Sequence, residues 1–127
     1  MDEATDEVTA EVRRAFDAYE AALLANDLDA IDEWFWRDER VVRFAFGEVQ
    51  RGWSAVSSAR RALPIQTPPR TAESVDVVAL GPDAATVFAV FALDGSDERV
   101  HQSQVWARID GAWRVTAAHV SRTSALG

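Results

Sequence analysis

The sequence predicts an α+β domain in which three helices pack on a curved, mainly antiparallel sheet that closes around them as a cone. Apolar residues in the first 25 positions recur every three or four residues, which is typical of one face of a helix. The second half of the chain alternates runs rich in β-branched and aromatic residues with turn residues. Helices gathered near the start and strands gathered near the end favour this class.

The predicted elements follow the order helix, helix, strand, strand, helix and four strands. The helices are predicted over about 5–25, from a cap at Asn26 or Asp27 to about Phe35 or Trp36, and over about 54–63, where Pro64 ends the third. A strand at 41–46 and a returning strand near 47–51 separate the second helix from the third. The last four strands are predicted at 71–80, at 84–93 and in the two arms of a hairpin at 101–121, before a loose tail at 122–127.

Composition bounds the class of protein. With 127 residues, of which 48% are hydrophobic, residues 1–127 are predicted to form a single domain with its own core. The chain has no cysteine and no lysine, which excludes thiolate metal sites, disulfides and Schiff-base chemistry. A net charge of -8 argues against nucleic acid as a partner. An acidic start and the lack of a long apolar run predict a cytoplasmic protein that does not enter the membrane.

The hairpin at 101–121 is unusual because of its polar content. Asp110-Gly111 is the strongest short-range hairpin signal, and the two arms carry Gln102, Ser103, Gln104 and His119 where a structural hairpin would have more Val and Ile. These side chains either face solvent or line a pocket. His119 is predicted to share a strand face with the apolar residues around Trp113, either as a satisfied structural group or as a catalyst.

Arg43 is the candidate anion-binding residue. It alternates with Val42, Phe44 and Phe46 in an otherwise apolar strand, and a guanidinium placed there needs a carboxylate because it cannot lose its charge. Glu48, five positions along, would supply that carboxylate in a structural ion pair. The alternative is the carboxylate of a ligand, held by two parallel hydrogen bonds.

Two aromatic positions have alternative interpretations. Tyr19, the only tyrosine, lies on the apolar stripe of the first helix, either as packing with one hydrogen bond at its tip or as a group that reaches a pocket. Trp36 belongs to an aromatic cluster that is predicted to be core, subunit interface or pocket wall.

The sequence predicts no metal site and no cofactor, because the two histidines are not paired at ligand spacing and the acidic run at 27–33 is typical of a solvated first helical turn.

The element order, with the ending GAWRVTAAHVS, resembles the nuclear transport factor two-like superfamily, which includes ketosteroid isomerases and polyketide cyclases and has a pocket between sheet and helices. Four blocks resemble the AtzH-like family more closely. They are YEAALLANDLDAIDEWFW at 19–36, VRFAFGE at 42–48, HQSQVWAR at 101–108 and AWRVTAAHVS at 112–121. Members of that family are found with amidases in s-triazine and oxalurate catabolism, and one member type decarboxylates 1,3-dicarboxyurea to allophanate.

The resemblance implies a site and a function. Tyr19 and Arg43 match the pocket tyrosine and strand arginine of the family. His101 stands where the family usually has an arginine, so the resemblance implies one guanidinium fewer near the pocket and argues against a doubly anionic substrate. We therefore predict a cofactor-free decarboxylase for a small anionic carboxylated urea or amide, with a non-catalytic ligand-binding or accessory subunit of an amidase as the alternative. The predicted catalytic residues are Tyr19, Arg43 and His119, with His119 as the main proton donor, and the predicted substrate contacts are Trp36, Glu48, Ser103 and Gln104.

The strands also predict an assembly. Trp106, Phe88 and Val90 are predicted to lie together on the outer face of the sheet. That apolar surface would be large for a monomer, so we predict a two-fold symmetric homodimer through this face.

Overall fold

This computed structural model describes residues 3–62 and 67–124, which contain three helices and six strands. The helices are α1 (Glu3–Leu24), α2 (Leu28–Trp34) and α3 (Trp53–Ala62). The strands are β1 (Val42–Ala45), β2 (Glu48–Arg51), β3 (Arg70–Gly81), β4 (Ala84–Leu93), β5 (Glu98–Ile109) and β6 (Ala112–Ser124). The predicted α+β class and order of elements are confirmed, whereas the predicted helix end at Leu63 and Pro64 lies outside the described residues.

All six strands belong to one sheet in the order β2-β1-β6-β5-β4-β3. Neighbouring strands are antiparallel except β1 and β6, which run parallel. The connection that returns the chain from β2 to the far edge of the sheet contains α3. The long strands β3 to β6 form three consecutive antiparallel pairs, and β1 and β2 are short additions beside β6.

The helices cover one face of the sheet, which we call the inner face. The apolar stripe of α1 is buried as the periodicity predicts, from Val8 through Phe16 to Tyr19. Asp27 caps α2, where its carboxylate accepts a hydrogen bond from the Ala30 N–H at 3.2 Å. Burial of the stripe against β3 and β4 excludes water from the core and favours the helix over the free chain. None of the helices described is long and apolar enough to cross a membrane.

The turns confirm the hairpin signals. Asp110 and Gly111 have φ values of 51° and 80°, so both occupy the left-handed region that a two-residue hairpin turn requires. Phe46 and Gly47 repeat this geometry between β1 and β2, with φ values of 51° and 85°. A phenylalanine in the left-handed region is uncommon, and because of this backbone conformation the ring of Phe46 does not continue the alternation of side chains along β1.

Strand β6 departs from the predicted alternation at Thr116. Val105 pairs with Ala117 and Trp106 pairs with Val115, so Thr116 is an extra residue that forms a bulge. The bulge exchanges the two faces for the rest of the strand.

The predicted loose tail at 122–127 is wrong for residues 122–124, because β6 continues to Ser124, which pairs with Glu98.

Trp106 lies in the core and not on the outer face. It is fully buried on the inner face, where its ring meets the edges of Tyr19 and Trp34 with centroids 6.2 and 5.8 Å apart. Residues 100, 102, 104 and 106 of β5 are all buried, and the residues between them face outward. The prediction for Phe88 holds, since it is 49% exposed on the outer face.

Candidate functional site

A cavity of about 310 Å³ lies between the helices and the inner face of the sheet. This volume is at the lower end of the range for small-ligand pockets. Its walls combine apolar side chains with four arginines and a few neutral polar groups. The lining residues are Tyr19, Leu23, Asn26, Leu28, Ile31, Arg43, Phe46, Arg60, Thr67, Pro68, Arg70, Leu93, Val100, Gln102, Val120 and Arg122.

Arg43 reaches the cavity from the inner face of β1, as predicted. Its register partners are Gln50 on β2 and Ala118 on β6, both buried. The Arg43 Nη1 donates to Gln50 Oε1 at 3.1 Å, and Gln50 Nε2 donates to Glu48 Oε2 at 3.3 Å. Glu48 therefore acts through Gln50, and no described carboxylate lies within ion-pair distance of Arg43. Burial lowers the pKa of Arg43, although a guanidinium stays charged near neutral pH.

The three other arginines of the cavity all have carboxylate partners. Arg60 Nη1 lies 3.3 Å from Asp32 Oδ1, and Arg122 Nη2 lies 2.6 Å from Glu98 Oε2. Arg70 forms a two-bond ion pair with Glu20, and both side chains are almost buried.

Asp32 also pairs with Arg61, at 2.7 Å, and Arg61 pairs with Asp29 at 2.9 Å. Of the four arginines that line the cavity, Arg43 is therefore the one without a carboxylate at ion-pair distance among the described residues. The cavity is therefore suited to one negative charge.

Tyr19 extends from the buried stripe of α1 into the same cavity. The residue is 5% exposed, and its ring also packs edge-on against Phe35 with centroids 6.0 Å apart. No described residue forms a hydrogen bond with its hydroxyl. Burial raises the pKa of Tyr19, while the charges of Arg60 and Arg43 act in the opposite direction. The phenol is therefore neutral near pH 7 and available as a proton donor.

Glu20, Arg70 and Gln102 form a buried polar group on the α1, β3 and β5 side of the cavity. Burial raises the pKa of Glu20, and the charge of Arg70 opposes that rise. Arg70 also stacks on the ring of Phe91, 3.9 Å from its centroid, and its Nη2 donates to Gln102 Oε1 at 3.4 Å. These contacts hold the Arg70 guanidinium in place, so it does not offer a second unpaired cation.

The structure brings two of the predicted catalytic residues together and separates the third. His119 lies on the outer face, exposed, with its ring 5.9 Å from that of Phe44. The predicted meeting of His119 with Tyr19 in one cavity is wrong, because the bulge at Thr116 reverses the faces of β6 after Val115. Val120 lines the cavity instead.

None of the four predicted substrate contacts lines the cavity, and Glu48 contacts Gln50 at its edge. Ser103 pairs with Phe88 and His119 on the outer face, so it does not reach the cavity. Trp36 lines a separate hollow of about 290 Å³ beside the Asp110-Gly111 turn. Gln104 is buried on the inner face, where its Oε1 accepts from Trp106 Nε1 at 2.8 Å, but it does not line the cavity.

His101 is exposed on the outer face of β5. An arginine in that position would also point away from the cavity. The expectation that His101 in place of arginine removes a guanidinium from the pocket is therefore wrong.

Sequence reasoning missed Arg60 and Arg70 as cavity residues, whereas Gln102 was one of the polar hairpin residues predicted either to face solvent or to line a pocket. Arg60 is on α3 and Arg70 begins β3 after two prolines, so neither stands in a motif that marks a site. Gln102 carried a signal, since it alternates with apolar residues on the buried face of β5. Among the described residues, no group of three or more His, Asp or Glu side chains is placed to hold a metal ion.

Comparison with known proteins identifies the family. The sequence profile of the AtzH-like family matches residues 2–125. The chain belongs to the AtzH-like family. A search of curated proteins found no match.

Solved structures give the same fold for this AtzH-like protein. A protein of the DUF3225 family from Pectobacterium atrosepticum is 36% identical with a TM-score of 0.87, over 93% of this chain and 92% of the other. A cystatin-like fold protein from Burkholderia xenovorans is 35% identical, also with a TM-score of 0.87, over 93% of each chain. An NTF2-like protein from Pseudomonas putida shares the fold at 18% identity, with a TM-score of 0.78 over 91% of this chain and 87% of the other.

Proposed function

We propose that this AtzH-like protein binds a small carboxylated urea or amide in its cavity and removes the carboxyl group as carbon dioxide without a cofactor. The observation that carries the proposal is the half-buried guanidinium of Arg43, which shares a cavity with the Tyr19 hydroxyl. Among the described residues the guanidinium has no carboxylate partner and the hydroxyl has no hydrogen-bond partner. A charge that is partly withdrawn from water and has no charged partner destabilises the folded protein. A ligand carboxylate would supply the missing charge.

The chemistry follows from these two groups. In an N-carboxylated urea the bond between nitrogen and the carboxyl carbon breaks, carbon dioxide leaves, and the electron pair stays on nitrogen. Tyr19 donates its proton to that nitrogen, and the phenolate later takes a proton from water. Burial raises the pKa of Tyr19 and so favours the protonated phenol before and after the reaction, while the charges of Arg60 and Arg43 offset part of the cost of the transient phenolate. The apolar walls assist because the carboxylate loses its charge as it becomes carbon dioxide.

Turnover separates the enzyme from its alternative. The purified protein is incubated with 1,3-dicarboxyurea and with allophanate, its singly carboxylated counterpart, and the release of carbon dioxide is measured against buffer. Release above the uncatalysed rate supports the decarboxylase. Binding without release supports the alternative, a ligand-binding or accessory subunit beside an amidase, and neither binding nor release contradicts the proposal.

Arg43→Lys should weaken ligand binding. Lysine keeps the charge but loses the planar pair of donors that fits a carboxylate, and hydrogen bonds between charged groups are worth about 1.5–3 kcal/mol. We expect the dissociation constant for allophanate to rise about tenfold or more in a calorimetric titration. Arg13→Lys makes the same exchange in an exposed ion pair on α1 and should leave the constant unchanged. Equal affinities in the two variants would remove Arg43 from the site.

We also propose that two copies of this chain associate through the outer face of the sheet. Phe44, Val49, Val78, Phe88 and Val105, from five different strands, are each at least 38% exposed, and all of them lie on that face. We call these residues the outer apolar patch. A patch that spans five strands is what an interface with a second copy would cover.

Phe88→Asp should dissociate the homodimer. It places a charge in the outer apolar patch, and two-fold symmetry would bring that change into the interface from both copies. Light scattering coupled to gel filtration should give twice the mass of the 14.0 kDa chain for the unaltered protein and the mass of one chain for the variant. Leu24→Asp alters an exposed apolar residue away from the sheet and should remain dimeric. A monomeric unaltered protein at high concentration would refute the interface.

A further inference from the structure

Arg60 of α3 brings a second guanidinium to the part of the cavity that holds Tyr19. Its side chain is 10% exposed and lines the cavity together with Tyr19 and Arg43. The guanidinium carbon lies over the ring of Phe35, 4.9 Å from the ring centroid, and the ring of Tyr19 packs on the same Phe35 with centroids 6.0 Å apart. Arg60 and Tyr19 are therefore neighbours in the wall of the cavity.

The electrostatic effects agree with this placement. Burial has the largest effect on the pKa of Tyr19 and raises it, and among the charges that oppose this rise that of Arg60 is the strongest and that of Arg43 the next. Burial also lowers the pKa of Arg43, and the charge of Arg60 acts in the same direction. Because such effects weaken with distance, the three groups converge on one region of the cavity.

Asp32 holds one edge of the Arg60 guanidinium. Arg60 Nη1 donates to Asp32 Oδ1 at 3.3 Å, and no described residue accepts from Nε or Nη2. The described side-chain nitrogens that are fully enclosed and lack an acceptor belong to Gln102 and Gln104, so Nε and Nη2 of Arg60 are not closed off from the cavity. A guanidinium has several N–H donors, and a ligand acceptor can therefore bind Arg60 while its bond to Asp32 is kept.

The acceptor that suits Arg60 is neutral before the reaction. Charges are balanced in the cluster formed by Asp29, Asp32, Arg60 and Arg61. Arg43, by contrast, has no carboxylate at ion-pair distance among the described residues and donates to a neutral amide. The carboxylate of the ligand therefore goes to Arg43, and Arg60 is left for a carbonyl oxygen.

Loss of carbon dioxide creates the charge that Arg60 can stabilise. In allophanate the scissile nitrogen and the urea carbonyl oxygen are bonded to the same carbon, so groups that act on the two atoms must lie side by side. When the bond between nitrogen and the carboxyl carbon breaks, the electron pair on nitrogen spreads onto this oxygen until Tyr19 protonates the nitrogen. A donor already directed at the oxygen stabilises the transition state more than the ground state.

We infer that Arg60 is a catalytic residue that donates a hydrogen bond to the urea carbonyl oxygen of the ligand whose carboxylate binds Arg43. The inference rests on the proposed function and adds a third group to it, beside the carboxylate contact of Arg43 and the proton of Tyr19. The ligand class is then a urea or amide carboxylated on nitrogen, and a carboxylate without a neighbouring carbonyl group lies outside it.

Arg60→Met should lower the single-turnover rate of carbon dioxide release from allophanate by about a hundredfold, since removal of one such donor costs roughly 10²–10³-fold. Arg61→Met is the matched control, because Arg61 shares Asp32 but is 44% exposed and does not line the cavity. Its rate should stay within a few-fold of the unaltered protein. Equal losses in the two variants would reduce Arg60 to a structural role in the cluster and overturn the inference.

Two probes that lack the scissile bond test the contact by NMR titration. Malonamate is allophanate with a CH₂ group in place of the scissile NH, and isovalerate has methyl groups in place of the carbonyl oxygen and the amide nitrogen. Malonamate should bind the unaltered protein about tenfold more tightly than isovalerate, and the two should bind alike in Arg60→Met. Unchanged isovalerate binding in the variant would show that the cavity is intact.

If Arg60→Met does not fold, Arg60→Gln repeats both measurements. Equal affinities of the two probes for the unaltered protein would overturn the inference without either variant.

Carbon dioxide release by the unaltered protein separates the two proposals. If neither release nor binding of malonamate is found, the proposed function fails. If release is found but Arg60→Met lowers it no more than Arg61→Met, only the role of Arg60 fails. If malonamate binding depends on Arg60 and no release is found, Arg60 is a ligand contact and not a catalytic residue, which also overturns the inference.

Discussion

Tyr19→Phe should lower the rate of carbon dioxide release by about a hundredfold or more, because a positioned acid contributes roughly 10²–10⁴-fold to such a step. The hydroxyl is the only group that this exchange removes. The ring packing of Tyr19 against Phe35 and Trp106 is retained, and so is the guanidinium of Arg43 that would hold the carboxylate. Single-turnover measurements give the rate of carbon dioxide release, and the dissociation constant for allophanate gives the ligand affinity separately.

Tyr19→Phe should affect the rate and the ligand affinity differently. The rate should fall while the dissociation constant changes by no more than a few-fold, since phenylalanine preserves the wall of the cavity. A loss of binding with an unchanged rate would instead make Tyr19 a residue that orients the ligand. The sequence predicted His119 as the main proton donor, which would make His119→Ala more damaging than Tyr19→Phe. Because His119 lies on the opposite face of the sheet, we now expect the reverse ranking.

The parts of the fold that the sequence predicted are those that depend on local physics. The stripe from Val8 to Tyr19 repeats at the helical period, and the same residues are buried in α1. Asp110-Gly111 favours a turn with two residues in the left-handed region, and both adopt it. Arg43 entered the cavity as predicted, because simple alternation holds over the short strand β1.

The errors came from features that depend on distant pairing. Which face His119 occupies is decided by an extra residue at Thr116, and that bulge exists because β6 pairs with β5 in two registers. No local property of Thr116 marks it as a bulge. Trp106 was assigned to the wrong face because its neighbours, Gln104 and Gln102, are polar and yet lie inside.

The charge pattern of the cavity could not be predicted for a related reason. Arg70 and Glu20 are 50 positions apart, and Arg60 and Asp32 are 28 positions apart. Which arginine is left without a carboxylate follows only once these pairs are known. The sequence could offer Glu48 as the partner of Arg43, but a neutral amide, Gln50, lies between them and leaves the charge of Arg43 unmatched.

Trp106→Ala should lower the free energy of unfolding by about 3–5 kcal/mol, the range for removal of a large buried aromatic side chain. The ring is fully buried and contacts Tyr19 and Trp34, so its removal leaves a cavity in the centre of the core. Its Nε1 also donates to Gln104 Oε1 at 2.8 Å. Urea denaturation measures the loss, and Trp36→Ala, at a half-buried position, should cost clearly less. Equal losses would contradict the placement of Trp106 in the core.

A second set of variants separates packing from the hydrogen bond. Trp106→Phe keeps most of the ring but leaves Gln104 without a donor, and since Gln104 Nε2 already has no partner among the described residues, both ends of that buried amide would then be unsatisfied. Gln104→Leu leaves the indole N–H unpaired in the same way. The double variant removes both polar groups, so its loss should be smaller than the sum of the single losses. A strictly additive result would mean that the hydrogen bond between Trp106 and Gln104 contributes nothing to stability.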